Sequence, residues 1–176
     1  MDVGRHPNIE LLDYSEVVDV NGYVGNFQVK VRRKPRYIDT DLCTGCGLCP
    51  EACVLGAGSG RLMVPSEFNA GMGKRTAAYI PFAQAIPLKA VIDPESCLQL
   101  TKGKCAQKCV EVCGTGAIDF EMTETFVDLE VGSIVVATGY QMWDATKIPD
   151  YGYGKSPNII TGLEFERLTN AGGPTE

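Results

Sequence analysis

The chain has 176 residues, of which 44% are hydrophobic and 22% charged, so an ordinary folded core is possible and wholesale disorder is excluded. A net charge of −6 and a pI of about 4.9 exclude a general nucleic-acid binder, which needs a basic face to displace counterions. No apolar run approaches the ~20 residues that span a bilayer, and the N-terminus lacks a charged-then-apolar signal pattern, so the expectation is a cytoplasmic protein.

Residues 1–36 read as β-structure. Phe27, Val29 and Val31 alternate with Gln28, Lys30 and Arg32, the period-2 pattern of a half-buried strand. Glu16–Val20 is its partner, with Asn21-Gly22 and Gly25-Asn26 marking the turn of a hairpin. Tyr37-Ile38 leads into a first run of cysteines. Residues 54–96 form a spacer rich in breakers, including the glycines at 56, 58, 60, 71 and 73 and the prolines at 65, 81, 87 and 94, which predicts an ordered but irregular excursion. A second cysteine run ends in a short strand at Ala117–Phe120. Residues 125–139 form a further strand region, and the continuous run Ile134-Val135-Val136-Ala137 predicts a strand buried on both faces. Thr161 and Glu164 make a capping box for a helix from about Leu163 to Asn170, stopped by Gly172-Gly173-Pro174.

All eight cysteines fall in two groups. Cys43, Cys46, Cys49 and Cys53 have C-x2-C-x2-C-x3-C spacing, the bacterial ferredoxin pattern for a [4Fe–4S] cluster. Thiolates so closely spaced can wrap one corner of a cubane only if the main chain curls around it. Gly45 and Gly47 permit that and bring backbone N–H groups toward the sulfurs. The fourth cysteine is expected one turn into a helix, pointing toward a second cluster. Cys97, Cys105, Cys109 and Cys113 are spaced more loosely, with x7 and x3 gaps before the retained final x3, and read as a second site with an enlarged first loop. In the interleaved arrangement Cys43, Cys46, Cys49 and Cys113 hold cluster 1, and Cys53, Cys97, Cys105 and Cys109 hold cluster 2. The alternative is a structural or scaffold module with four-cysteine zinc sites and no redox role; zinc sites usually separate two C-x2-C knuckles by a long loop. In both runs the proline that commonly follows the fourth cysteine is replaced, by Val54 and Gly114.

The other motifs are weak. Arg32, Arg33, Lys34 and Arg36 form a basic stretch that reads as a solvated strand end, or more sharply as a docking patch for an acidic partner or a phosphate. No Gly-x-Gly pair is followed by the third glycine of a dinucleotide fingerprint, and Gly73-Lys74-Arg75-Thr76 lacks the upstream glycine of a P-loop. His6 is the single histidine, so a structural role is expected for it and no nucleophile–base pair can be assembled.

Several long stretches resemble the HdrA family, the iron–sulfur flavoproteins of heterodisulfide reductase. They include Val3–Ile9, Gly22–Phe27, Val64–Asn69, Asp93–Cys97, Val131–Tyr140 and Ile160–Glu166. The resemblance implies an α+β fold in which a two-[4Fe–4S] ferredoxin-like module is inserted between β-strands of a flavoprotein domain similar to thioredoxin reductase. Residues 1–36 and 121–176 would then be parts of the flavin domain and 37–120 the insert, with the hairpin and the strand at 126–137 neighbours across it. The resemblance further implies electron transfer in a heterodisulfide reductase-type complex. Its partners would be the other subunits, with a hydrogenase or other electron donor among them. Thr138 and Gly139 would contact FAD in the complete polypeptide. No glycine-rich βα turn for the FAD pyrophosphate is present. The expectation is therefore an internal fragment that does not bind FAD and is not active alone.

Overall fold

The computed structural model describes residues 3–58 and 60–175; Met1, Asp2, Glu176 and Ser59, which belongs to the glycine-rich start of the spacer, lie outside the described residues. In chain order the elements are β1 (Ser15–Tyr23), β2 (Asn26–Arg33), α1 (Leu48–Ala52), β3 (Val64–Pro65), β4 (Lys74–Arg75), β5 (Ala78–Tyr79), β6 (Val91–Ile92), α2 (Leu98–Lys102), α3 (Lys108–Glu111), β7 (Thr125–Val131) and α4 (Gly162–Thr169). This is a mixed α and β chain. It divides into two compact units: residues 1–64 with 75–134, and residues 65–74 with 135–176.

In the first unit, β1, β2 and β7 form an antiparallel sheet with β2 in the centre. Alternation in β2 buries Val29 and Val31, and these face Leu129 and Val127 of β7. The hairpin and its neighbour are thus joined across more than ninety intervening residues, the adjacency that the family resemblance implies. The turn is tighter than expected: Tyr23 pairs with Asn26, leaving Val24-Gly25 as the loop and Asn21-Gly22 inside β1. Two-residue loops need a positive φ, which Gly25 supplies at 93°. A bulge at Val18 shifts the register between Val17 and Asp19.

The spacer is ordered but irregular, as predicted, with two-residue ladders β3–β4 and β5–β6 and turns between them. The strand expected at 117–120 is reduced to one antiparallel bridge between Ile118 and Ile38, flanked by Asp39 N–H to Ala117 C=O (2.7 Å) and Asp119 N–H to Tyr37 C=O (3.1 Å). The core of this unit is built around cysteines. Ile38, Leu55, Ala77, Ala90, Ile92 and Ala117 are buried together with Cys97, and Cys43, Cys49, Cys53 and Cys113 pack against them.

The strand expected at Ile134–Ala137 does not form. β7 stops at Val131, and Val135 and Val136 are 87% and 78% exposed. A run buried on both faces requires neighbouring strands to accept its hydrogen bonds, and none pairs with it among the described residues.

In the second unit α4 begins with the predicted capping box. Thr161 Oγ1 accepts from Glu164 N–H at 3.2 Å, and Glu164 accepts from Thr161 N–H at 2.6 Å. Burial works against the Glu164 carboxylate, but these bonds and Tyr153 O–H hold its pKa below the ordinary value. Arg167 stacks on Phe68, 4.5 Å from the ring centroid, and pairs with Glu166.

Candidate metal centres

The two cysteine loops start in the same way. Asp39 and Asp93 each precede the first cysteine by four residues; Cys43 N–H donates to Asp39 C=O (2.9 Å) and Cys97 N–H to Asp93 C=O (3.0 Å). Their side chains close local turns onto the Asp41 and Glu95 amides. Each loop later enters a short helix through a left-handed residue, Gly47 (φ 83°) before α1 and Gln107 (φ 50°) before α3. Cys49 and Cys109 each stand two residues beyond it. The wider Cys105–Cys109 gap places Ala106 between Cys105 and the bend, whereas Cys46 precedes Gly47 directly; at Gln107 glycine would be the unstrained choice. Cys53 departs from expectation: it lies just past the end of α1 with extended backbone (φ −63°, ψ 128°), not one turn into a helix.

The folded chain gathers the cysteines into two sets. Cys43, Cys46, Cys49 and Cys113 line one cavity of about 200 Å³ together with Gly45 and Gly47. Cys53, Cys97, Cys105 and Cys109 line a second, tighter one of about 20 Å³ with Leu55 and Phe120. Each run contributes its last cysteine to the other run's cavity. Packing of α1 on α3 brings the sets side by side. The first is the more open, since Cys46 is exposed whereas Cys97 and Cys109 are buried.

The surroundings suit soft, anionic ligands. Ala117 N–H points to Cys113 Sγ at 3.3 Å and Gln107 N–H to Cys105 Sγ at 3.4 Å. Burial pushes the Cys49 thiol up to about 12, with Cys43 adding to the rise, and the Cys109 thiol up to about 11, with Cys53 adding. Cys97 is raised for the same first reason. At Cys113 burial is outweighed by the Thr115 hydroxyl and by the Ala117, Thr115 and Gly116 amides, and the pKa falls. Thiolates crowded and desolvated in this way need a positive centre to hold them ionised, which metal binding supplies with release of protons. Each cavity is lined by four cysteine sulfurs, a donor set that fits an iron–sulfur cluster.

The other sequence candidates lie apart from this chemistry. Thr138 and Gly139 are exposed in an irregular segment of the second unit, with Gly139 at φ 74°. The basic stretch is partly neutralised: Arg32 pairs with Glu16 and Glu124, and Arg36 with Asp13 at 2.7 Å, while Lys34 and Arg36 lie over the Tyr14 ring. His6 accepts the Asn8 amide in a local turn. Sequence reasoning missed Lys89, whose ammonium donates to the Cys43 carbonyl. No local pattern points to it, because the contact spans 46 residues.

No family model matches the chain. Among curated proteins it is 48% identical over all 176 residues to the A subunit of the H(2):CoB-CoM heterodisulfide,ferredoxin reductase of Methanothermobacter thermautotrophicus, of which it covers 25%. It is 50% identical over 176 residues to one of two iron-sulfur A subunits of the CoB–CoM heterodisulfide reductase of Methanopyrus kandleri, again 25% of that protein. Along its whole length the chain is homologous to HdrA. It spans about a quarter of the length of these HdrA relatives. The A subunit of the ferredoxin:CoB-CoM heterodisulfide reductase of Methanosarcina mazei matches 99% of the chain at 40% identity, with 20% of its own length covered. Among the described residues no helix is long and apolar enough to cross a membrane.

Proposed function

We propose that this part of HdrA carries electrons through two [4Fe–4S] clusters within a heterodisulfide reductase-type oxidoreductase. Cys43, Cys46, Cys49 and Cys113 hold the first cluster, and Cys53, Cys97, Cys105 and Cys109 the second. The observation that carries the reading is the division of eight cysteines into two crossed sets of four, each around its own cavity. The name of the Methanopyrus relative, an iron-sulfur subunit, supports it. Each bound cluster supplies one-electron uptake and release. The chain's own residues fix the four sulfurs, aim backbone N–H groups at them and wrap the second set in apolar side chains that exclude water.

In the same proposal residues 37–120 are a ferredoxin-like module inserted between strands of a thioredoxin-reductase-like flavin domain. Residues 1–36 and 121–176 belong to that domain. The pairing of β2 with β7 on either side of the insert supports this. The exposed run Ile134–Ala137 awaits strands of the longer polypeptide, and FAD binds in that complete protein near Thr138 and Gly139. The partners are the other subunits of the complex, with a hydrogenase or another electron donor among them, in the cytoplasm.

Anaerobic reconstitution followed by iron, sulfide and zinc analysis tests the reading. It predicts about eight irons and eight sulfides per chain, with a brown colour that dithionite bleaches. A colourless protein with stoichiometric zinc would replace it with the structural-zinc alternative.

A further inference from the structure

The segment Leu88-Lys89 presses on the first cysteine loop at two points. Gly45 has φ 70°, and a Cβ built on it would collide with the Leu88 carbonyl oxygen. The next residue, Lys89, is half-buried, and its ammonium donates to the carbonyl of Cys43. Leu88 therefore packs against the loop between Cys43 and Cys46 while Lys89 ties down its first peptide.

The first cysteine loop has a cation in direct contact with its main chain. Among the described residues Lys89 has no carboxylate partner. Asp39, at the start of the same loop, directs its carboxylate onto the Asp41 and Leu42 amides at 2.8 and 3.3 Å. At the second set Lys108 lines the cavity, but Glu111 pairs with it at 2.8 Å. Lys89 thus places a positive charge directly against the loop of the first set. A cluster held by four thiolates is anionic and becomes more so on reduction. A fixed positive charge therefore favours the reduced form, whereas a pair without net charge does so far less.

Resting on the cluster reading above, we infer that Lys89 is a positioning and tuning residue: it pins the Cys43 loop and selectively raises the reduction potential of the cluster held by Cys43, Cys46, Cys49 and Cys113. The charge sets the potential and the hydrogen bond sets the loop, so substitutions separate the two. Lys89→Gln keeps a neutral donor, Lys89→Met removes charge and donor, and Lys89→Arg keeps both.

The test is a redox titration of the reconstituted 176-residue chain followed by paramagnetic resonance, with the first cluster's signal identified as the one that Cys46→Ser alters. Lys89→Gln and Lys89→Met are expected to shift that cluster's reduced-to-oxidised ratio at fixed potential tenfold toward the oxidised form, about 59 mV for one electron. Lys89→Arg should stay near the wild type, and the other cluster should not move. Unchanged midpoints in Lys89→Gln, equal shifts of both clusters, or Lys89→Arg behaving like Lys89→Gln would overturn the inference. If Lys89→Met fails to retain iron, Lys89→Gln decides. A wild-type chain that takes up no iron and sulfide would remove the cluster reading itself; two clusters with no response to Lys89 would remove only this inference.

Discussion

Asp39 and Asp93 occupy equivalent places in two halves of the chain: each donates its backbone N–H to an alanine carbonyl, Ala117 at 2.7 Å and Ala77 at 2.8 Å, and each accepts the N–H of the cysteine four residues on. The strand pairings match as well, with Ile38 bridging to Ile118 and Ile92 to Ala78. Each cysteine loop is therefore launched from the end of a short antiparallel pair. One run can then deliver its last cysteine to the other run's set, because the two halves are packed together by the same contacts used twice.

Asp93 is the more heavily loaded of the two. Its carboxylate accepts from Ser96 Oγ (2.7 Å), the Glu95 amide (3.0 Å) and Arg75 (3.1 Å). Burial alone would raise its pKa, but these bonds outweigh it and the pKa lies below the ordinary 3.8. A depressed folded pKa means that the contribution to stability is complete above the unfolded value and is lost as pH falls through the folded one. Asp93→Ala should cost about 1–3 kcal/mol in denaturant unfolding at neutral pH. The gap between wild type and variant should close below about pH 4. A constant gap across that range would show that Asp93 acts through packing instead.

Gly45 and Gly47 both have positive φ, yet they should respond differently to alanine. At Gly47 a Cβ meets no protein atom within 4 Å, so Gly47→Ala adds backbone strain of about 1–2 kcal/mol without a main-chain collision. At Gly45 the new Cβ runs into the Leu88 carbonyl, which is main chain, not a flexible side chain. Gly45→Ala should displace the Cys43–Cys46 loop and lower iron retention at the first set well below that of Gly47→Ala. Equal iron content in the two variants would contradict the close approach.

Local signals in the sequence were dependable where the physics is local. The β2 alternation and the Thr161–Glu164 capping box each need only a few neighbouring residues, and each corresponds to an observed arrangement. Most of the misses have non-local causes. Ile134–Ala137 reads as a buried strand from composition, but burial depends on strands that the described residues do not provide. The Cys53 miss is local instead: α1 ends at Ala52, where Cys53 N–H turns back to the Pro50 carbonyl. Lys89 and the Asp39–Asp93 equivalence are invisible to spacing rules, since their contacts join residues far apart along the chain.

Flavin binding offers a check on the segment around Thr138. An FAD pyrophosphate is anchored by N–H groups at a glycine-rich turn opening a helix. Thr138 and Gly139 lie in an exposed irregular stretch instead. The 176-residue chain mixed with FAD should emerge from gel filtration with far less than one flavin per chain by absorbance. Stoichiometric FAD would mean that the chain supplies an anchor of a different kind.

Paired variants of the reconstituted chain test the crossed fourth cysteines most directly. Cys113→Ser should perturb the cluster whose other ligands are Cys43, Cys46 and Cys49. Cys53→Ser should perturb the one held by Cys97, Cys105 and Cys109. The measurement is paramagnetic resonance of each reduced variant beside its iron content, with Cys46→Ser and Cys105→Ser marking the two signals. Cys113→Ser should match the Cys46→Ser pattern and Cys53→Ser the Cys105→Ser pattern. The opposite pairing, in which each fourth cysteine affects the cluster of its own run, would contradict the crossing.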